Sequence, residues 1–352
     1  FTSQREVLYM RALVNYSDAP NSVELREVGK PAPQAGQVLI RVRATGVCGS
    51  DIHTWKGPVS WLINRPIVMG HEYAGTIEEV GPGVVDWQVG QRVTGETAAE
   101  VCGTCSYCRT GNYNLCPQRK GFGALYDGSM AEYICVRQEI LHDVPEGISF
   151  EEAALTEPAA VAFNAVFVKS KIIPGDTVVV IGPGTIGLMA LQMVRQGGPA
   201  SVVMIGLTKD RARMELAGSM GADRVVYADK EDPIDVVMQL GDGLGADLVI
   251  DAVGGRATIL QSQAMVRANG QITKIGWDAN PYSETLDPLV AKAVTFQGSF
   301  SHTWPTWERV LRLMGLKRID TRSMFSAFDL EQWETAFSRM DDLSIAKSVL
   351  IP

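Results

Sequence analysis

Hydrophobic residues in the first third of the chain occur in short alternating runs. Three of these runs span residues 38–43, 75–80 and 131–136, and turns rich in Gly and Pro separate them. Alternation with a period of two is typical of strands that bury one face. Residues 10 to about 137 are therefore predicted to form a mainly β unit of barrel type.

The pattern changes after Pro145, where strand-like runs alternate with helical ones. Residues 151–169 are predicted to form a helix that Pro158 breaks or bends, because a proline removes a backbone donor. The run at 177–181 (TVVVI) is typical of a strand buried on both faces. Strands that alternate with helices indicate an α/β domain with a parallel sheet. The further predicted elements are helix 186–196, strand 201–205, helix 211–219, strand 225–226, helix 234–240, strand 247–251, helix 258–266 and strand 270–275.

The tail of the chain is predicted to return to the first domain. It contains a loop with Trp304 and Trp307, helices at 306–314 and 330–340, and a final strand at 348–351. A chain of 352 residues exceeds what one hydrophobic core usually serves, so two domains are expected.

Composition and charge exclude some classes of partner. The formal net charge is -8, which argues against nucleic acid or an anionic membrane as the main partner. No apolar run is long enough to span a bilayer. Residues 1–9 lack the apolar core and the cleavage site of a signal peptide, and they are interpreted as an extension ahead of the first strand. We therefore expect a cytoplasmic protein that binds small molecules.

A glycine-rich loop follows the buried strand and opens the next helix. Its sequence, GPGTIG, has the G-x-G-x-x-G form. Gly182 permits the tight turn, Gly184 lets the backbone approach a pyrophosphate, and Gly187 lets helix and strand pack closely. The helix N-terminus at Thr185 and Ile186 supplies N–H donors and positive potential for phosphates. In this context the loop predicts a Rossmann dinucleotide site.

The second strand of this unit lacks the carboxylate that usually holds the adenosine ribose. The strand ends at Ile205, and Gly206 follows it. A missing carboxylate with cations nearby suits a 2′-phosphate, so the interpretation leans slightly to NADP. The alternative is that Asp210 still reaches the ribose of NAD from a longer loop. The side chains expected near a phosphate are Thr208, Lys209, Arg211 and Arg213.

Four of the six cysteines lie close together in the chain. In a reducing compartment such a cluster is more typical of a metal site than of disulfides. Four thiolates fill a tetrahedral shell and leave no open position, so a zinc ion here would be structural. Four thiolates also hold iron–sulfur clusters, and the spacing alone leaves that alternative open. The four residues are Cys102, Cys105, Cys108 and Cys116.

Three possible metal ligands of different chemistry lie in two other loops. Cys48 follows one strand-like run, in VCGSDIH, and His71 and Glu72 follow another, in GHE. A thiolate, an imidazole and a carboxylate make three protein ligands with an open fourth position, which is typical of catalytic zinc. Glu157 is a further candidate, either as a direct ligand or by holding the zinc-bound water.

Together these motifs resemble the zinc-dependent alcohol dehydrogenases of the medium-chain dehydrogenase/reductase family. Residues 70–75 (GHEYAG) match the family pattern, and the other motifs occur in its order and at its spacing. The resemblance runs from about Met10 to the C-terminus. Glu72, Glu157 and residues 300–305 (FSHTWP) are most similar to the branch of polyol (sorbitol/iditol) and threonine/butanediol dehydrogenases.

The resemblance implies a domain organisation and a set of cofactors. A GroES-like catalytic domain would comprise residues 10–157 and 297–352, with a Rossmann domain at 158–296 between them and a structural zinc lobe at 97–118. The resemblance assigns zinc to the four cysteines, which gives two zinc ions per chain beside NAD or NADP. It also implies a homodimer or a homotetramer.

The resemblance also implies an activity, the interconversion of a secondary alcohol of polyol type and its ketone by hydride transfer. Zinc held by Cys48, His71 and Glu72 would bind the alcohol oxygen as a Lewis acid. Ser50 would start a proton relay, and His53 would be its outlet to solvent or, alternatively, a surface histidine.

Other residues have narrower expected roles. Asp51 is expected to orient a zinc-ligating histidine. His302 is a candidate near the cofactor or substrate, and His142 is expected to be a solvated loop residue.

Ligands bind at the carboxyl ends of strands in open α/β sheets. The complete set of predicted cofactor contacts is Gly182, Gly184, Thr185, Ile186, Gly187, Gly206, Thr208, Lys209, Arg213, Val253, Gly254, Ile275, Gly276, Trp277, Ser299 and Phe300.

Two positions depart from the polyol dehydrogenases. Ser301 stands where those enzymes usually have Arg, and Asn164 stands where they often have His. The substrate is therefore left open between a polyol, threonine, 2,3-butanediol and a primary alcohol or aldehyde. A non-catalytic dinucleotide-binding relative is the rival from another class. Such a relative would be expected to lack zinc ligands. Every expected ligand position is filled in this chain, which argues against this alternative.

Overall fold

The computed structural model describes residues 8–278 and 280–352, so residues 1–7 of the predicted extension lie outside the described residues. The first unit is mainly β, as predicted. Its elements are β1 (Tyr9–Asn15), β2 (Val23–Gly29), β3 (Gln37–Gly46), α1 (Gly49–Lys56), β4 (Ile67–Val68), β5 (Glu72–Val80), β6 (Arg92–Gly95), β7 (Ala98–Glu100), α2 (Ser106–Arg109), β8 (Lys120–Gly121), β9 (Tyr133–Arg137) and β10 (Leu141–Asp143).

The second unit alternates helices and strands, and each strand predicted for it is present. Its elements are α3 (Phe150–Ala154), α4 (Thr156–Phe163), β11 (Thr177–Ile181), α5 (Thr185–Gln196), β12 (Ser201–Gly206), α6 (Arg211–Ser219), β13 (Arg224–Tyr227), α7 (Pro233–Met238), β14 (Ala246–Asp251), α8 (Arg256–Met265), β15 (Val266–Lys274), α9 (Asp287–Ala291) and β16 (Thr295–Gly298).

The tail contains two helices and two strands, one strand more than predicted. They are α10 (Trp304–Gly315), β17 (Phe325–Asp329), α11 (Trp333–Asp341) and β18 (Lys347–Ile351). The helix expected at 330–340 begins with a short 3-10 turn, Leu330–Gln332, before α11.

The helix predicted for 151–169 is broken, as one of the two alternatives expected, but the predicted position of the break at Pro158 was wrong. The segment forms α3 and α4, followed by a π-helical turn over Asn164–Val168. The break lies at Leu155 rather than at Pro158. Pro158 is the third residue of α4, inside the first turn, where a missing backbone N–H leaves no intrahelical bond unmade.

The parallel sheet explains the continuous apolar run of β11. Its order is β13-β12-β11-β14-β15-β16, which is that of a doubly wound dinucleotide-binding fold. Val178 and Val180 belong to the core under α4 and α5, whereas Val179 and Ile181 belong to a second core on the opposite face. Both faces of the strand are thus covered, which confirms the predicted α/β fold class.

The β unit is organised around β3, which pairs with β5, β9 and β18. Pairing with β18 brings the C-terminal strand against β3, on which the loop with Cys48 begins. The domain boundary expected between residues 296 and 297 falls within β16, and the division of the chain into domains stays a prediction. Within the described residues, no helix has the length and apolarity that a membrane crossing requires.

Candidate active site

Cys48, His71 and Glu72 converge in the structure. One ligand atom from each lies within 4.8 Å of the others. Cys48 precedes α1, and Glu72 is the first residue of β5, opposite Gly46 of β3. A Cβ atom on Gly46 would lie 2.1 Å from Glu72 Oε2, so only glycine leaves room for this carboxylate. The pairing of β3 with β5 therefore brings the two ligand loops together.

The donor set of this cluster suits zinc. A sulfur, a ring nitrogen and a carboxylate oxygen are ligands that zinc accepts, and three of them leave a fourth position open. Burial alone would lower the pKa of His71, but the Cys48 thiolate, Asp51 and Glu157 raise it to about 10. This surplus of negative charge favours a cation between the ligands. We infer that Cys48, His71 and Glu72 would hold the catalytic ion.

Asp51 stabilises the loop that contains Cys48. Its carboxylate accepts a hydrogen bond of 2.8 Å from the backbone N–H of Cys48, and it is buried. It also contributes negative charge near His71. Ser50 is half-buried and His53 is exposed, three residues apart on α1. Residues at this spacing share a helix face.

Lys347 is a residue of this site that sequence reasoning missed. Its ammonium lies against both carboxylate oxygens of Glu72, 2.6 Å from Oε1. Both side chains are 1% exposed. Burial raises the pKa of Glu72, and the ammonium opposes this effect. A lysine in a C-terminal strand gave no signal of this role, because the contact depends on β18 lying beside β3.

Glu157 is placed near the cluster by the first turn of α4. It is not among the three residues whose ligand atoms lie within 4.8 Å of one another. Burial favours its protonated form, but a hydrogen bond from His302 and the positive charge of His71 lower its pKa. His302 Nε2 lies 3.3 Å from Glu157 Oε1. The structure thus places His302 beside a candidate zinc residue.

The prediction that His142 is solvated was wrong. It lies in β10 and is 1% exposed, with Nδ1 2.5 Å from Glu308 Oε1 and Nε2 3.4 Å from Glu96 Oε1. Burial favours protonated Glu96, but hydrogen bonds from His142 and Tyr113, together with the nearby His302 ring, lower its pKa to about 2. Sequence reasoning missed Glu96, because a lone acid at the end of a strand carries no sign of partners so distant in the chain.

The four cysteines of the lobe also converge within 4.8 Å of one another. Cys102 Sγ lies 3.9 Å from Cys108 Sγ and 3.6 Å from Cys116 Sγ. A tetrahedron with zinc–sulfur bonds of about 2.3 Å has sulfur–sulfur edges of about 3.8 Å. Backbone N–H groups directed at Cys102 Sγ lower the pKa of this thiol to about 6. The geometry suits a closed, structural zinc site.

The glycine loop has the backbone geometry of a dinucleotide site. Gly182 has φ +95°, and a Cβ atom on Gly187 would lie 1.7 Å from the Gly182 carbonyl oxygen. A Cβ atom on Gly184 would meet nothing within 4 Å, so space is open where a pyrophosphate would approach. Ile186 is half-buried, and the hydroxyl of Thr185 donates to the carbonyl of Ala346. At the N-terminus of α5, the backbone N–H groups of these two residues would be the donors for a bound pyrophosphate.

The structure does not leave all the predicted ribose residues available at the end of β12. The guanidinium of Arg213 donates to the carbonyls of Ile345 and Met340, at 2.8 Å each, so it is directed away from the strand end. The carboxylate of Asp210 accepts from the N–H of Leu207 and is buried. The groups that remain exposed at the end of β12 are Thr208, Lys209 and Arg211.

Gly206 is required by packing at the end of β12. A Cβ atom there would lie 2.5 Å from Met214 Sδ and 3.1 Å from Pro183. A side chain at this position would therefore have to displace Met214 and press on Pro183 of the glycine loop. Asp229 lies nearby, and its carboxylate accepts from the N–H of Thr208 at 2.9 Å. This exposed acid was not anticipated from the sequence.

Exposed apolar side chains cluster at the carboxyl ends of the central strands. Trp277 is 71% exposed, and its ring centroid lies 6.2 Å from that of Phe300. Val253 is also exposed, while Ser299 is buried and accepts a hydrogen bond from Asn164. The other predicted contacts here lie in the turns that follow β14 and β15: Gly254, Ile275 and Gly276.

Comparison with known proteins agrees with this geometry. Residues 34–146 match the family model of the alcohol dehydrogenase GroES-like domain, and residues 185–315 match that of zinc-binding dehydrogenases. Together with the parallel sheet and the two ligand clusters, these matches define a zinc-binding oxidoreductase with a GroES-like and a Rossmann domain. The chain belongs to the zinc-dependent alcohol dehydrogenase family of medium-chain dehydrogenases, in its polyol and threonine dehydrogenase branch.

Relatives of stated activity match nearly the whole chain. A sorbitol dehydrogenase of Halalkalibacterium halodurans is 37% identical over 97% of this chain and 99% of its own. A D-arabitol-phosphate dehydrogenase of Enterococcus avium is 39% identical over 92% of each chain. A zinc-binding dehydrogenase of Sinorhizobium meliloti, solved with NADP bound, superposes with a TM-score of 0.88 at 28% identity. That match covers 98% of this chain and all of the other.

Proposed function

We propose that the protein is an NAD(P)-dependent zinc dehydrogenase that interconverts a secondary alcohol of polyol type and its ketone. The convergence of Cys48, His71 and Glu72 within 4.8 Å carries this proposal. A thiolate, an imidazole and a carboxylate with an open fourth position are the protein part of a catalytic zinc site. The sorbitol and D-arabitol-phosphate dehydrogenase relatives support a polyol as the substrate class.

Different residues around the cluster serve metal binding and proton transfer. When bound, zinc supplies Lewis acidity and the nicotinamide supplies the hydride acceptor. Ser50 would take the proton of the substrate hydroxyl while releasing its own hydroxyl proton to the relay, and His53, exposed on the same face of α1, would pass a proton to solvent. Lys347 holds the Glu72 carboxylate in place. Glu157 either completes the ligand set or holds a water molecule in the open position.

The proposal also includes the second zinc ion, the cellular compartment and the oligomeric state. The four-cysteine lobe would hold a structural zinc, which gives two zinc ions per chain. Free thiolates persist in a reducing compartment, which supports a cytoplasmic location. We also propose a homodimer or a homotetramer, on the basis of family resemblance.

The cofactor would lie across the carboxyl ends of the parallel strands. The loop from Gly182 to Gly187 would receive the pyrophosphate at the N-terminus of α5. Val253, Trp277 and Phe300 offer exposed apolar surface for the nicotinamide end. Thr208 and Lys209 remain the proposed contacts at the adenosine ribose. The proposal slightly favours NADP over NAD as the cofactor.

A charge change at the end of β12 tests the cofactor preference. We expect Lys209→Ala to lower kcat/KM for NADP about tenfold and to leave that for NAD within about twofold, since only a 2′-phosphate makes a charge-assisted contact of roughly 1.5–3 kcal/mol. Asp229→Asn should have the opposite effect, because it removes a negative charge beside Thr208. Steady-state kinetics with both cofactors measure these ratios. Equal losses with both cofactors in Lys209→Ala would contradict the NADP assignment.

A polyol phosphate is a second candidate substrate, and Arg119 is the observation that favours it. Its guanidinium donates to Thr97 Oγ1 at 2.8 Å and lies 5.7 Å from the ring centroid of Phe300. Nε is buried and has no hydrogen-bond partner in the described part of the chain. Burial lowers the pKa of Arg119, while Glu157 and Glu96 oppose this effect. A desolvated guanidinium with a free donor suits a phosphate oxygen.

Removal of this guanidinium distinguishes the two candidates. We expect Arg119→Met to raise KM for a polyol phosphate at least tenfold, because a hydrogen bond to a charged group contributes about 1.5–3 kcal/mol. KM for the unphosphorylated polyol should change less than threefold. Arg109→Met, in the exposed part of the lobe, is the control and should alter neither value. An equal response to both substrates in Arg119→Met would exclude phosphate recognition by this residue.

A substrate panel is the most direct test of the proposed function. Polyols, polyol phosphates, diols, threonine and simple alcohols are offered with NAD and with NADP, and zinc is measured per chain. We expect two zinc ions and the highest kcat/KM with a secondary alcohol of a polyol or its phosphate. A chain that holds no zinc and oxidises none of these compounds would instead be a non-catalytic dinucleotide-binding protein.

A further inference from the structure

The four-cysteine lobe contacts a segment of the tail that enters the active site. Tyr113 and Asn114 form a 3-10 turn between the third and fourth cysteines. Asn114 Nδ2 donates to the carbonyl of Phe300 at 3.0 Å, and the Tyr113 hydroxyl accepts from the N–H of Trp304 at 2.6 Å. The lobe therefore holds both ends of the segment 300–304.

The backbone between these two contacts is strained. Ser301 has φ +56°, in the left-handed region that residues with a Cβ atom rarely adopt. Such a conformation persists only where the surroundings determine it. The hydrogen bonds from Asn114 and to Tyr113 flank this residue on both sides. The lobe thus supplies the constraint that keeps the segment in its strained form.

The next residue, His302, presents its ring to Glu157. The Nε1–H of Trp307 donates to His302 Nδ1 at 2.7 Å. An indole nitrogen can only donate, so Nδ1 is the acceptor and the ring hydrogen lies on Nε2. Nε2 lies 3.3 Å from Glu157 Oε1 and 3.4 Å from Thr97 Oγ1. His302 therefore donates towards Oε1 of the Glu157 carboxylate.

Glu96 adds a second connection between the lobe and this histidine. The Tyr113 hydroxyl lies 2.7 Å from each of its carboxylate oxygens, and Glu96 Oε2 lies 3.6 Å from His302 Nδ1. The Glu96 side chain is fully buried, and that of His302 is 1% exposed. Movement of Tyr113 would therefore disturb Glu96, Trp304 and the surroundings of His302 together.

We propose that the four-cysteine lobe positions the active site, with Tyr113 and Asn114 holding segment 300–304 so that His302 fixes the Glu157 carboxylate. Tyr113, Asn114 and His302 are positioning residues, since they act on the reaction through Glu157. Metal bound at the four cysteines would then support catalysis through these hydrogen bonds as well as through stability. The activity arm of the test rests on the proposed function, and the spectroscopic arm does not.

The chain has only four histidines, so the position of His302 can be observed directly. The zinc-loaded protein is labelled with ¹⁵N-histidine, and His302→Gln assigns the ring signal of His302. We expect Asn114→Ala to shift or broaden this signal and to leave that of the exposed His53 unchanged. Asn112→Ala is the matched control, because Asn112 is exposed in the same lobe and its side-chain amide donates to Thr110, away from segment 300–304. An unchanged His302 signal in Asn114→Ala would overturn the proposal.

The zinc content shows whether Asn114→Ala removes only the hydrogen bond to segment 300–304 or also disrupts the four-cysteine lobe. Two zinc ions per chain are expected in both asparagine variants. Should Asn114→Ala lose zinc, Tyr113→Phe replaces it, because this change removes one hydroxyl and keeps the ring. The same shift of the His302 signal is expected in Tyr113→Phe, and its absence would contradict the proposal.

A double-mutant cycle provides the kinetic arm. Displacement of a positioning group costs roughly tenfold in kcat or more, so we expect about this loss in Asn114→Ala with little change in KM for the cofactor. In the His302→Gln background, Asn114→Ala should cause no further loss, because the residue through which it acts is gone. Losses that multiply would show independent roles and overturn the proposal. An inactive parent enzyme would contradict the proposed function, and the NMR result would still decide this inference.

Discussion

Cys48→Ser is expected to lower kcat by about a thousandfold or more while the protein still binds its cofactor. The substitution removes the thiolate from the cluster of Cys48, His71 and Glu72. Lewis-acid assistance contributes several kcal/mol to the barrier, and each 1.36 kcal/mol is a factor of ten in rate. The zinc content should fall from two ions per chain to one. Steady-state kinetics, metal analysis and titration with NAD(P)H measure the three quantities.

Cys135→Ser is the matched control for this variant. Cys135 is half-buried in β9, away from both metal clusters, and it undergoes the same chemical change. We expect it to keep both zinc ions and a kcat within about twofold of the parent, since volume-conserving changes at such positions cost little. Full turnover in Cys48→Ser would remove the basis of the proposed site. Loss of cofactor binding in that variant would show a fault of folding instead.

Lys347→Met is expected to have the largest effect on stability. Removal of one partner from a buried ion pair leaves the other charge uncompensated, at a cost of about 3–5 kcal/mol. The carboxylate of Glu72 would be the stranded group, with its side chain 1% exposed. Catalysis should fall as well, because Glu72 would lose the contact that holds it in the ligand cluster. Chemical denaturation measures the free energy of unfolding, and the loss should be largest in protein without the catalytic zinc, where no metal ion offsets the charge of Glu72.

Lys56→Met controls for the loss of a lysine. Lys56 pairs with Asp341 at the surface, where the two side chains are 53% and 34% exposed. Exposed pairs contribute about 0–1 kcal/mol, so little change in the free energy of unfolding is expected. If Lys347→Met proved no less stable than Lys56→Met, the buried pair would have no structural importance.

Much of the secondary structure could be predicted because its signals are local. The run TVVVI of β11 is apolar on both faces, and the glycine loop after it marks the turn into α5. β16 was missed because its four residues are mostly exposed and show no alternation. The break between α3 and α4 was misplaced because Pro158 was interpreted as the point where the helix breaks or bends, whereas it belongs to the first turn of the second helix.

The sequence by itself determined the chemistry available to this protein. It contains a thiolate, an imidazole and carboxylates in loops at the ends of strands, four closely spaced cysteines and a dinucleotide loop. These follow from residue type and short spacing, which report the local backbone and the possible ligands.

Only the tertiary structure decided which of these groups meet. Lys347 reaches Glu72 across 275 residues, and His302 reaches Glu157 across 145. Arg213 is removed from the predicted ribose site by two backbone carbonyls of the tail. The physical reason is that a buried polar group must find a partner in space, and strand order sets which partners are near. The hydrophobic pattern of a sequence can predict that a side chain is buried. It does not predict which distant residue the side chain contacts.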